Sequence, residues 1–150
     1  MTMDLDVPDF TKAPLSMSGI AIASAAASRI LTANPDPELK TVLPSAPTAQ
    51  RSFPVNDTLV LFTDIYDNVK SPSHRVMIKT TVTADDGKVV FTSNDERRSD
   101  ELGGKTGGYG YSATVPLKDL PRGRYVLAVA AESSLNKGGA VSRELEFRIR

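Results

Sequence analysis

Leu117-Lys118-Asp119-Leu120-Pro121-Arg122-Gly123-Arg124-Tyr125-Val126-Leu127-Ala128-Val129-Ala130-Ala131 is the stretch whose reading decides the fold. It begins as the end of one strand, turns a tight corner, and continues as the start of another. Pro121 presets a backbone angle in the corner, and Gly123 gives freedom at its exit. Past the corner, Tyr125, Leu127, Val129 and Ala131 recur with a period of two. That places them on one buried face of a strand, with Leu120 directed to the same face from the corner.

The same alternation appears on both sides of the corner. Residues 109–117 put Tyr109, Tyr111, Ala113, Val115 and Leu117 inward. Residues 140–150 put Val141, Leu145, Phe147 and Ile149 inward, with Ser142, Glu144, Glu146, Arg148 and Arg150 outward. Residues 75–84 alternate Val76, Ile78, Thr80 and Val82 with Met77, Lys79, Thr81 and Thr83. Asp86-Gly87 is then a hairpin signal into residues 88–92, where Val89 and Phe91 are expected to share a face. Residues 58–66 are apolar on both parities, as a central strand buried on one face and partly covered on the other would be. Residues 15–23 read as the first strand. Leu15 and Met17 have one parity and Ile20 and Ile22 the other, so a bulge at Ser18-Gly19 is expected to bring both pairs to the core. Seven strands at short spacing, with no helical periodicity, predict an all-β antiparallel sandwich; a closed barrel is the alternative.

The remaining segments are irregular. Residues 1–13 are polar and punctuated by Pro8, and read as a tail or linker ahead of a domain at 14–150. Residues 24–57 carry Pro35, Pro37, Pro44, Pro47 and Pro54 and read as a segment covering a sheet edge, with short edge strands at 39–43 and 51–53; the alternative is that function sits there. Residues 93–108 read as an exposed polar loop.

Composition narrows the function. The chain has 150 residues, 18 of them basic and 18 acidic, which suits one domain with a core of useful size. A neutral balance supplies no long-range field for nucleic acid or an anionic membrane. There is no cysteine, so disulfides, thiolate nucleophiles and cysteine-held metals are excluded. No apolar run has the length of a membrane-spanning helix. Residues 1–10 hold Asp4, Asp6 and Asp9 and no basic residue, unlike a secretory signal. Neither nucleic-acid binding nor membrane insertion is expected.

No reactive constellation emerges. His74, the only histidine, follows Pro72 at a strand start and is expected to be an ordinary turn residue. No Gly-x-Ser-x-Gly elbow is present. Asp85-Asp86-Gly87 and Asn94-Asp95-Glu96 offer oxygens to calcium but lack the EF-hand spacing. Gly104-Lys105-Thr106 lacks the leading glycine of a phosphate loop, because Ser99 stands there. Arg97-Arg98 is neutralised by Asp95, Glu96, Asp100 and Glu101. No catalytic, cofactor or metal residue is assigned. Carbohydrate binding is the alternative to a passive module, and it would draw on Tyr66, Tyr109 and Tyr111 as exposed aromatics.

Leu120, Pro121, Gly123, Tyr125, Leu127, Val129 and Ala131 resemble the tyrosine corner of fibronectin type III and other immunoglobulin-like sandwiches. The resemblance implies that the Tyr125 hydroxyl bonds back to the 117–122 segment. A wider likeness runs through Pro14-Leu15-Ser16-Met17-Ser18-Gly19-Ile20, Arg51-Ser52-Phe53-Pro54, Asp57-Thr58-Leu59, Ile65-Tyr66-Asp67, Pro116-Leu117 and Arg143-Glu144-Leu145-Glu146-Phe147. Together these resemble the C-terminal immunoglobulin-like accessory domain of bacterial VWFA-related exported proteins. That resemblance implies a non-catalytic interaction or spacer module, extracellular or periplasmic, with a protein partner or a neighbouring domain of the same parent chain. It carries over no cofactor and no metal motif, and implies no particular oligomeric state.

Overall fold

A computed structural model describes residues 9–10, 12–26, 43, 47–69, 72–99, 108–135 and 139–150. They form β1 (Leu15–Met17), β2 (Ala21–Ser24), β3 (Ser52–Phe53), β4 (Thr58–Asp67), β5 (Arg75–Ala84), β6 (Val89–Arg98), β7 (Gly108–Pro116), β8 (Gly123–Ser133) and β9 (Ala140–Ile149). In one sheet β4 is central, with β1 and β2 along one side and β7 along the other. The second sheet runs β3-β9-β8-β5-β6. Among the described residues no backbone ladder joins the two sheets, so the fold is an all-β sandwich and not a closed barrel. All pairings are antiparallel except the two-residue strip of β3 against β9.

The first strand is bulged where the parity change in its sequence demands it. Met17 pairs with Ile65, and Ala21 pairs with Phe62. Three residues, 18 to 20, therefore oppose two, and the one-residue excess brings Leu15, Met17 and Ile22 all to the core. With β1 and β2 as one strand and β3 as an added strip, seven strands remain, three facing four.

Between the sheets, Leu59, Leu61 and Ile65 of β4 meet Val76, Ile78, Val82, Leu127 and Val129. Tyr111 lies in the same interior, with its hydroxyl 3.0 Å from Thr80 Oγ1, so the two polar groups satisfy each other. The corner is as its sequence implies. Tyr125 is buried, stacks on Phe147 at 5.5 Å, and donates from its hydroxyl to the Pro121 carbonyl at 2.5 Å. Asp57 ties the corner to the rest of the fold. Its backbone carbonyl accepts from Leu117 N–H at 2.9 Å, and its carboxylate accepts from Ser24 Oγ and Thr58 N–H at 2.5 and 2.8 Å.

Two expectations are corrected. β6 continues to Arg98, so residues 93–98 are strand and not loop. Their charges do not prevent pairing, because β5 supplies a complete ladder on one side. Val89 and Phe91 do not share a face. Val82 pairs with Phe91 and Thr83 with Val89, so Val90 is an extra residue that reverses the parity and leaves Val89 52% exposed. Past that bulge Asp95 and Arg97 have the inward parity and pair with each other at 3.2 Å. Inward charges and a bulge both discourage a further strand from adding to this edge.

The described parts of the 24–57 segment run along open edges: Thr48 N–H donates to Ile22 O, and β3 lies beside β9. Phe10, within the segment read as a tail, stacks on Tyr66 at 4.9 Å. The expected strand at 39–43 lies outside the described residues except for Leu43, which is buried.

Replacing Tyr125 with Phe removes one partly buried hydrogen bond and is expected to cost about 1 kcal/mol in urea denaturation. Desolvation, then Asp85 and Asp86, raise the Tyr125 hydroxyl above its ordinary pKa. A raised folded-state value means this contribution is intact below the unfolded value of about 10 and is lost as pH climbs through the folded one. Wild-type stability should therefore fall more steeply than that of Tyr125→Phe on the alkaline side, and parallel curves would refute the assignment.

Candidate functional site

The corner controls more than the core. Because Tyr125 faces inward, Arg124 and Val126 face outward, and the β8–β9 register sets Arg124 opposite Arg148 and Val126 opposite Glu146. At this end of the larger sheet an open cleft of about 490 Å³ crosses the strands. Arg51, just before β3, stands on one side and Asp85, just after β5, on the other. Between them lie Arg124, Val126, Glu146 and Arg148, with Tyr125 and Phe147 also reaching the wall. The volume is within the range of small-molecule sites, about 300–1,000 Å³. Arg51 is positioned by donating to the Thr48 and Gln50 carbonyls at 3.0 and 2.8 Å. Among the described residues no ion pair involves Arg51, Arg124, Arg148, Asp85 or Glu146.

His74 is not an ordinary turn residue. Its ring is buried against Asp67, with Nε2 2.6 Å from Oδ2, and the two side chains are 0% and 1% exposed. Nδ1 lies 2.9 Å from the Pro72 carbonyl, which can only accept, so Nδ1 carries a hydrogen. The other carboxylate oxygen of Asp67 accepts from Val69 N–H at 3.2 Å. Both ring nitrogens are engaged, and the pair clamps the end of β4 to the start of β5. One signal for it was in the chain: Asp67 has the same parity as Leu59, Leu61 and Ile65, and an inward carboxylate needs a partner.

The other candidate residues separate. Asp86 Oδ1 accepts from Lys88 N–H at 2.9 Å in a turn with Gly87 at φ 85°, which accounts for Asp86-Gly87 as hairpin chemistry. Asn94 and Glu96 face away from Asp95 along β6, so their oxygens do not converge. No group of three or more His, Cys, Asp or Glu side chains among the described residues is placed to hold a metal ion. Tyr111, expected among exposed aromatics, is in the core. Tyr66 is half-buried beneath Phe10, and burial followed by the charge of Asp64 raises its hydroxyl above the ordinary value. Asp4, Asp6 and the Gly104-Lys105-Thr106 run lie outside the described residues. Asp9 forms an exposed pair with Lys12 at 4.0 Å.

No family model matches the chain, and no curated protein matches it. Among solved structures it is similar to the C-terminal domain of Wzt, with a TM-score of 0.58 and 11% identity over 93% of this chain and 75% of that one. It is similar to Bacteroides uniformis β-glucuronidase, TM-score 0.52 and 9% identity, over 85% of this chain but 12% of the enzyme. It is also similar to part of the Pseudomonas fluorescens alkylpurine DNA glycosylase AlkC, TM-score 0.51 and 11% identity, over 93% of this chain and 31% of that one. At such identities the likeness is one of fold.

His74→Phe leaves the Asp67 carboxylate buried without its main partner and should cost about 1–3 kcal/mol in urea denaturation. Asp67→Asn should also destabilise, and the double variant should lose less than the sum of the two, because both remove the same contact. Additive losses would show that the pair is not a unit.

Proposed function

We propose that this chain is a non-catalytic binding module of a larger exported protein, holding its ligand in the cleft between Arg51 and Asp85. The observation that carries this reading is the cleft itself. It places cationic, anionic and apolar side chains on a rigid ladder, with the charges not spent on one another. Binding sites of small ligands share that build: a concavity with a few directed polar groups.

Two further points support it. The one histidine has both ring nitrogens engaged in a closed buried pair, which suits a clamp and not a general base. The similar sandwiches in β-glucuronidase and AlkC make up a minor part of longer chains, in keeping with a unit attached to something else. Export, and a protein partner or neighbouring domain of the same parent chain, rest on the resemblance to VWFA-related proteins. Carbohydrate binding through a row of exposed aromatics is disfavoured, since Tyr111 is interior and Tyr66 is covered.

Titrating the isotope-labelled chain with soluble glycans and peptides, and following amide chemical shifts, tests the reading. Changes should cluster at residues 51, 85, 124–126 and 146–148, and the ligand should be recovered unaltered. Ligand turnover, or shifts centred on His74, would contradict it.

A further inference from the structure

Arg124 and Arg148 are an unusual cross-strand pair. Like charges directly opposite each other on a sheet repel, and such a pair weakens the ladder that carries it. Neither guanidinium has an ion-pair partner among the described residues, although Glu146 stands two residues from Arg148 on the same outer face. Two planar donor forks side by side, with Arg51 at the cleft margin, are matched to carboxylates, which they hold in bidentate fashion.

The acidic side chains narrow the ligand further. Asp85 and Glu146 line the same cleft and, when ionised, only accept hydrogen bonds. A sulfate ion brings charge to the arginines but has no hydrogen to donate to these two carboxylates. A sugar acid satisfies both sets: its carboxylate meets the arginines, and its hydroxyls donate to Asp85 and Glu146. Val126 offers apolar surface to the C–H face of a sugar ring. Beyond the cleft the outward positions of β8 are Ala128, between Thr81 and Glu144, and Ala130, between Lys79 and Ser142. With no exposed aromatic at the cleft for stacking, charge must supply the recognition.

We propose that the cleft binds a carboxylate-bearing polysaccharide, a polyuronate, with Arg124 and Arg148 gripping its carboxylates and Asp85 and Glu146 accepting from its hydroxyls. The assignment rests on the reading of the cleft as a binding site and adds the class of ligand.

Isothermal titration of the 150-residue chain with oligogalacturonate, neutral dextran, dextran sulfate and polyglutamate tests it. Oligogalacturonate should bind, weakening with added salt, and about tenfold or more tighter than the other three. Arg124→Gln and Arg148→Gln, both on the surface, should each weaken it by about tenfold or more, a loss of about 1.4 kcal/mol, with the melting temperature not lowered, since either change relieves the like-charge pair. Equal binding of dextran sulfate or polyglutamate would overturn the inference, reducing the site to a general cation patch. Binding of dextran alone, insensitive to the arginines, would overturn the ligand class and leave the module reading standing. Failure of oligogalacturonate to bind likewise overturns only the inference; the module reading falls if shift mapping finds no ligand at the cleft.

Discussion

The corner that turns Tyr125 inward, where its ring stacks on Phe147 and its hydroxyl bonds the Pro121 carbonyl, is the constraint on which the rest of the structure depends. It fixes which way the first residues of β8 point after the corner. A strand has two faces and a period of two, so one fixed side chain settles all of them. With Tyr125 inward, Leu127, Val129 and Ala131 follow into the core, and Arg124 and Val126 are held outside. Register then passes to β9 through Tyr125–Phe147 and Arg124–Arg148. A slip of β8 by one residue would drive Arg124 into the interior without a partner, at a large desolvation cost. The same corner that completes the core therefore sets the outer cleft.

Buried polar groups specify the ends of the sandwich, where apolar packing is least selective. Asp57 joins the end of β2, the start of β4 and the entry to the corner through Ser24, Thr58 and Leu117. His74 and Asp67 do the same for the passage from β4 to β5, and Thr80 with Tyr111 links the sheets midway. Each group is satisfied, so none imposes the penalty of an unpaired buried donor or acceptor.

Strand identity, the first-strand bulge and the inward residues of β5, β8 and β9 were legible because they follow from local alternation. The Ser18-Gly19 interruption could be read from the parity change between Met17 and Ile20 alone. Val90 was different. Its bulge leaves no parity break among Val89, Val90 and Phe91, all apolar, so faces could not be assigned without the pairing to β5. The polar run after Thr92 hid the second half of β6 for a related reason: an edge strand with inward Asp95 and Arg97 does not look apolar on either face. Tyr111 was legible as inward from alternation, and only the carbohydrate-binding alternative set it on the surface; His74 was misjudged because its partner, Asp67, is decided by tertiary placement. The cleft was invisible for the same reason, since Arg51, Asp85, Arg124 and Arg148 are scattered along the chain and meet only through the strand order β3-β9-β8-β5.

What the fold contributes to the proposed binding is the pairing of two like charges that sequence distance keeps apart. Arg124 and Arg148 face one cleft because the corner sets their register, and as directly opposed neighbours they should act on one ligand together. A double-mutant cycle on the affinity for oligogalacturonate, using Arg124→Gln, Arg148→Gln and both, measures that coupling directly. The account predicts a coupling of at least about 0.5 kcal/mol; strictly additive losses would contradict it and show two independent surface charges.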